Sequence, residues 1–140
     1  MSSDAGPGVP EALPRTLQEL GRRLGPGEID QLWIFPPLIK GRKEWGLVAA
    51  GCFAGEGRRR LITARYTAER TGTELRVDRG LAEEGIAPPD RLPHVMEGVV
   101  RRSEVDLGEP KVVEIGGDAD RFESLMEEFD AVLLEATEEQ

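Results

Sequence analysis

The chain has 140 residues, 39% of them hydrophobic and 32% charged, with a formal net charge of −9 at pH 7. A chain of this length buries roughly two-thirds of its unfolded surface, which is enough for one domain to fold without metals or disulfides. Its single cysteine, Cys52, excludes an internal disulfide and a cysteine-rich zinc framework.

The ends of the chain differ in composition from its centre. Residues 1–10 contain two glycines, two prolines and two serines, with no positive start and no apolar stretch, which predicts a disordered tail and no signal peptide. The longest apolar run, 32–39, has eight residues, far short of the ~20 that cross a membrane. We therefore expect a cytoplasmic protein without membrane contact, with a single domain at 11–136 and a C-terminal tail at 137–140.

The first predicted element is a helix with a leucine stripe. Four leucines recur at the spacing of one helix face: Leu13, Leu17, Leu20 and Leu24. Pro14 suits the first turn, and the Gly-Pro-Gly segment at 25–27 ends the helix. About two heptads are too few for an independent coiled coil, so we expect the stripe to pack on the chain's own core.

Four predicted strands follow, and glycine or proline marks the connections between them. They are Gln31–Phe35, Glu44–Phe53, Arg59–Ala68 and Thr73–Asp78. Connections as short as those after the second and third strands force neighbouring strands to run antiparallel.

The apolar period then changes from two residues to 3.6. A helix begins at Pro88–Asp90 and ends near Ser103, with five apolar residues on one face: Leu92, Val95, Met96, Val99 and Val100. A short strand, Lys111–Ile115, precedes a final amphipathic helix. The order α-β-β-β-β-α-β-α predicts an α+β two-layer sandwich, in which helices cover one face of a mainly antiparallel sheet of about five strands.

The first two predicted strands are apolar on both faces, although helices on one side can cover only one of them. The uncovered face could lie under a loop or under the first helix of the same chain, against a partner or second copy, or around a small ligand. Trp33, Phe35 and Trp45 lie in these strands. Because aromatic residues are enriched in interfaces, these three are the candidate partner-binding residues.

The charge is unevenly distributed along the chain. Residues 1–100 carry 14 basic and 14 acidic side chains, whereas 101–140 carry four basic and 13 acidic ones. Arg58, Arg59 and Arg60 form the best candidate polyanion site. Nucleic-acid binders are usually basic overall, and this chain has a pI of about 4.7, so nucleic acid is not the expected partner. We expect these arginines to be solvated edge charges or partners of the acidic last helix.

Few residues suit catalysis. The only histidine, His94, points away from the apolar face of its helix, and no serine lies in a Gly-x-Ser-x-Gly motif. Cys52 lies in the middle of a strand and is expected to be a buried, inert thiol. Asp118, Asp120 and Glu123 could ligate a divalent cation, although Asp118 or Asp120 is more simply interpreted as a helix N-cap. We expect no enzymatic activity and no cofactor.

The element order, size and acidity are similar to those of type III secretion chaperones, which are dimers that bind other polypeptides. This chain has four predicted strands before the middle helix, where those proteins have three. The 15 arginines, three lysines and absent asparagine suit a GC-rich bacterial genome.

The leading hypothesis is a non-enzymatic protein-binding or adaptor module, chaperone-like and homodimeric. The alternatives are a small-ligand or divalent-metal protein that uses the pocket between sheet and helices, and nucleic-acid binding through Arg58–Arg60.

Overall fold

The computed structural model describes residues 12–103 and 107–138, with side chains up to residue 128. Its helices are α1 (Ala12–Leu24), α2 (Leu92–Ser103) and α3 (Ala119–Glu138). Its strands are β1 (Ile29–Ile34), β2 (Leu38–Lys40), β3 (Lys43–Phe53), β4 (Arg59–Thr71), β5 (Glu74–Ala87) and β6 (Lys111–Glu114). The tail predicted at 1–10 lies outside the described residues, and α3 extends two residues into the tail predicted at 137–140.

The strands form one sheet in the order β5-β4-β3-β1-β6, and β2 pairs with β3 beside β1. Every pairing is antiparallel. The predicted α+β class with a mainly antiparallel sheet is therefore confirmed. No described helix is both long and apolar enough to cross a membrane.

Two strands, β2 and β5, depart furthest from the prediction. β2 was not predicted, because Pro36 and Pro37 indicate only the end of a strand; the chain turns there and pairs again with β3. β5 was predicted to end at Asp78 but continues to Ala87. The part of β5 beyond Asp78 is charged and contains two glycines, so the local strand signal is weak there. Its pairing along β4 keeps it extended.

The two faces of the sheet carry separate apolar cores, because side chains alternate along each strand. On the first face, α1 and α3 cover a cluster that includes Leu17, Leu32, Val48 and Phe122. On the second face, α2 packs against a cluster that consists of Trp33, Phe35, Leu47, Ala49, Leu61, Ala87, Leu92, Met96, Val99 and Leu107.

The helices thus cover both faces, whereas a two-layer sandwich with helices on one face was predicted. The physical reason is that the central strands are apolar on both sides, and leaving either side in water would forgo its hydrophobic stabilisation. The second face is covered mainly by α2, whereas the expected covers from within the chain were a loop or the first helix; α1 lies on the first face.

Two glycines allow close approaches on the first face. A Cβ at Gly46 would overlap the ring of Tyr66, and one at Gly21 would overlap the ring of Phe122, which joins α3 to α1. The Tyr66 hydroxyl donates to Oε2 of the buried Glu44 at 2.6 Å. Burial, reinforced by Glu44, raises the pKa of Tyr66 above its ordinary value of 10.0.

Candidate functional site

A groove of about 750 Å³ lies on the second face of the sheet, between α2 and β6. We call it the α2–β6 groove. Its apolar lining consists of Trp33, Phe35, Met96, Val100, Pro110 and Val112, with Pro93 at one end. The groove exists because α2 contacts mainly β4 and β5 among the strands, so the β1–β6 side of this face is less covered.

The structure brings two of the three predicted partner-binding aromatics together. Trp33 and Phe35 are two residues apart and form the floor of the groove, but they are only 4% and 2% exposed. Trp45 is half-buried and lies elsewhere, in a separate pocket. Partner binding by these residues stays a prediction, and the floor aromatics offer little free area.

Val112 is an exposed apolar residue of the groove that was not among the predicted partner-binding residues. It is 48% exposed, and it pairs with Trp33 across the strands. The sequence does contain a signal for it. Val112 and Val113 are adjacent in one strand, so their side chains point to opposite faces of the sheet, and only one of them can join the first-face core.

β6 is also an edge strand whose outer side is open. Ile115 N donates to Asp30 O at 2.8 Å, and the register continues through Leu32 and Val113. In an antiparallel pair, the backbone N–H and C=O of every second residue point to the same neighbouring strand. Those of Val113 therefore point toward β1, and those of Val112 point away from it. No described strand pairs with β6 on that side.

One of the outward backbone groups is already occupied. The carbonyl of Glu114 accepts a hydrogen bond from Nε of Arg121 at the start of α3. The N–H and C=O of Val112 and the N–H of Glu114 are then the backbone groups that the described part of β6 offers to an incoming strand.

The three consecutive arginines each lie near a carboxylate. Arg58 is 3.7 Å from Glu56, Arg59 is 2.9 Å from Asp30, and Arg60 is 3.0 Å from Glu83. None of these carboxylates belongs to α3, so the expected pairing with the last helix is not seen among the described residues. Arg59 also lies over the ring of Phe53, 4.6 Å from its centroid. A polyanion site here stays a prediction, and each of its three arginines already lies near a carboxylate of the chain.

Asp118, the acidic residue directly before α3, has a structural role. Asp118 Oδ1 accepts hydrogen bonds from the backbone N–H groups of Asp120 at 3.0 Å and Arg121 at 3.2 Å. This confirms Asp118 as the N-cap of α3. Asp120 and Glu123 are exposed, and no group of three or more His, Cys, Asp or Glu residues in the described chain could hold a metal ion.

The two remaining candidates for chemistry occupy opposite environments. Cys52 is buried, and burial raises the pKa of its thiol to about 11, although Arg60 opposes the shift. The burial expected for Cys52 is thus confirmed. His94 is exposed, with Nδ1 3.9 Å from Glu97.

Comparisons of this chain found no matching family model, no matching curated protein and no matching solved structure. Functional inference therefore depends on the geometry of the site. Its main features are the apolar α2–β6 groove and the open backbone edge of β6 beside it.

Proposed function

We propose that this chain is a non-enzymatic protein-binding module that takes an extended segment of a partner polypeptide along β6 and into the α2–β6 groove. The observation that carries the proposal is the juxtaposition of the open β6 edge with an apolar groove. An added strand gains affinity from main-chain hydrogen bonds and specificity from pockets for alternate side chains.

On both faces of the sheet, the surface beside β6 offers apolar contacts for the alternate side chains of an added strand. On the second face, Val112 stands beside the groove. On the first face, a cleft between β6 and α3 is lined by Val113 and Leu125. A strand laid along β6 would therefore meet an apolar surface on each face, so its apolar residues need not all lie on one side.

The charges at β6 define the chemistry of the occupant. Lys111 and Glu114 are exposed near the two ends of the strand. An apolar segment that runs antiparallel to β6, with an acidic residue beside Lys111 and a basic residue beside Glu114, complements both charges.

A second copy of this chain suits the edge less well. Two β6 strands continuing one sheet would be related by a twofold axis perpendicular to it, which keeps every residue on its own face. Lys111 pairs with Ile34 of the first-face core, whereas Glu114 pairs with Gln31, which lies on the second face. These two charges cannot then lie opposite each other, so the homodimer expected from the sequence stays a prediction.

The test selects peptides from a phage-displayed random nonapeptide library and measures their binding by fluorescence polarisation. We expect apolar segments with an acidic and a basic end, and at least tenfold weaker binding to Val112→Lys. Ile86→Lys is the matched control, because Ile86 is 49% exposed on the opposite edge strand, β5. It should bind as the wild type does.

Two results would overturn the proposal. One is a selection that enriches no peptide, or only peptides that bind both variants equally. The other is light scattering that shows a wild-type dimer which Val112→Lys, but not Ile86→Lys, converts to monomer, because β6 would then be covered by a second copy.

A further inference from the structure

A second concavity, of about 370 Å³, lies on the same face of the sheet. It shares no lining residue with the α2–β6 groove. Strands β3, β4 and β5 form its floor, and its rim is formed by Ser103 at the end of α2 and by Leu107. We call it the Trp45 pocket. Its volume lies within the range of pockets that hold small molecules, about 300–1,000 Å³.

The floor is a regular grid set by strand register. One row across the three strands consists of Trp45, Thr67 and Asp78, and the next row consists of Leu47, Arg65 and Gly80. Leu47 belongs to the second-face core. The two rows are two residues apart along each strand, so the side chains of both rows point to the second face. The grid thus has an apolar column on β3 beside a polar column on β4.

Gly80 opens the mouth of this pocket. It lies within β5, where glycine lowers stability because it has no side chain to pack and loses more backbone entropy. Neither space nor conformation requires glycine there: a Cβ would meet nothing within 4 Å, and its φ is not positive. What its missing side chain provides is access to Arg65 from the edge of the sheet.

Arg65 is the charged group on the floor. Its side chain is exposed, and within the described chain no ion pair or hydrogen bond joins it to a protein group. Arg59, Arg60 and Arg102 on the neighbouring surface each lie near a carboxylate. An unpaired guanidinium beside an indole is suited to an anion attached to a flat ring.

We propose that the Trp45 pocket binds a small aromatic monocarboxylate. The ring lies against Trp45 between Leu47 and Leu107, and the carboxylate accepts hydrogen bonds from the guanidinium of Arg65. Asp78 stands in the adjacent row, and its negative charge disfavours a doubly charged phosphate more than a single carboxylate. Arg79, the other arginine of the lining, donates from Nε to Thr16 Oγ1, so the apolar walls and the Arg65 guanidinium select charge as well as shape.

The probes are 2-naphthoate and its uncharged analogue 2-naphthamide, with binding to the full chain measured by isothermal titration calorimetry. We expect naphthoate to bind at least tenfold more tightly than naphthamide. Arg65→Gln should abolish that difference by weakening naphthoate binding alone.

The position of the ligand is tested with a pair of leucine variants on β5. Gly80→Leu fills the mouth and should weaken both probes at least tenfold. Ala82→Leu adds its side chain two residues along the same strand, outside the pocket lining, and should leave both unchanged. Val112→Lys in the α2–β6 groove should also leave both unchanged.

Three results would overturn the proposal: no naphthoate binding at millimolar concentration, equal binding of the two probes to the wild type, or equal effects of Gly80→Leu and Ala82→Leu. Circular dichroism of each variant establishes that it has kept its fold. None of these outcomes depends on whether the α2–β6 groove binds a polypeptide.

Discussion

Proline substitutions at two adjacent positions of β6 test the geometry on which strand addition depends. By the register with β1, the N–H of Val113 donates to the carbonyl of Leu32, whereas the N–H of Val112 points away from the sheet. Proline removes the N–H in both cases. Only Val113→Pro should therefore lose a hydrogen bond of the folded chain.

The expected magnitudes differ because Leu32 is fully buried, with 0% exposure. Leaving its carbonyl without a donor costs about 1–3 kcal/mol, and the proline ring adds a clash with β1. Val112→Pro breaks no bond to β1 and should cost less than about 1 kcal/mol. For a chain of this size, a difference of about 2 kcal/mol corresponds to roughly 5–10 °C in Tm.

The assay is thermal and urea unfolding followed by circular dichroism, with Val112→Ala and Val113→Ala as controls for the lost side chains. We expect Val113→Pro to be clearly less stable than Val113→Ala, and Val112→Pro to match Val112→Ala. Equal destabilisation by the two prolines, or a larger loss at Val112, would refute the assigned register. In that case β6 would not present the backbone of Val112 to a partner.

Three further outcomes follow from the local contacts. Asp118→Ala should lower the free energy of unfolding by about 1 kcal/mol in urea titrations because α3 loses its N-cap, and an equal loss in Asp120→Ala would contradict that role. Tyr66→Phe should cost about 1–3 kcal/mol by the same measurement, since the buried Glu44 loses a donor; no change would show that the bond contributes nothing net. The folded pKa of Cys52 is raised from 9.0 to about 11, so its thiol favours folding below pH 9 and this stabilisation is lost as pH rises toward 11. Alkaline unfolding curves of wild type and Cys52→Ala should therefore diverge in that range, and parallel curves would argue against a buried thiol.

The elements that the sequence predicts well are those with a strong local period. The leucine stripe of α1 and the apolar face of α2 identify both helices, and β3 ends at Phe53 as predicted. β2 is three residues long and follows a pair of prolines, so no local pattern distinguishes it from a loop. β5 is extended over its second half because β4 lies beside it, which is a long-range cause.

The candidate sites were only partly accessible from sequence. Trp33 and Phe35 do share a floor, since residues two apart on a strand point to one face. Trp45 was grouped with them as an aromatic residue of the next apolar strand, yet it occupies a separate pocket, whose floor depends on the register of three strands. Arg65 and Gly80 face each other across β4 and β5 through the same register, which no short-range pattern encodes.

The sequence by itself determined that this is an acidic chain with a mainly antiparallel α+β fold and that its central strands are apolar on both faces. Only the tertiary structure decided that α2 covers the second face and that the β1–β6 side remains a groove. The reason is that periodicity specifies which face of an element is apolar, while hydrophobic burial is non-directional and does not specify which segment covers it. That choice depends on strand order and on the reach of the connections, and here it leaves the β6 edge and the Trp45 pocket open.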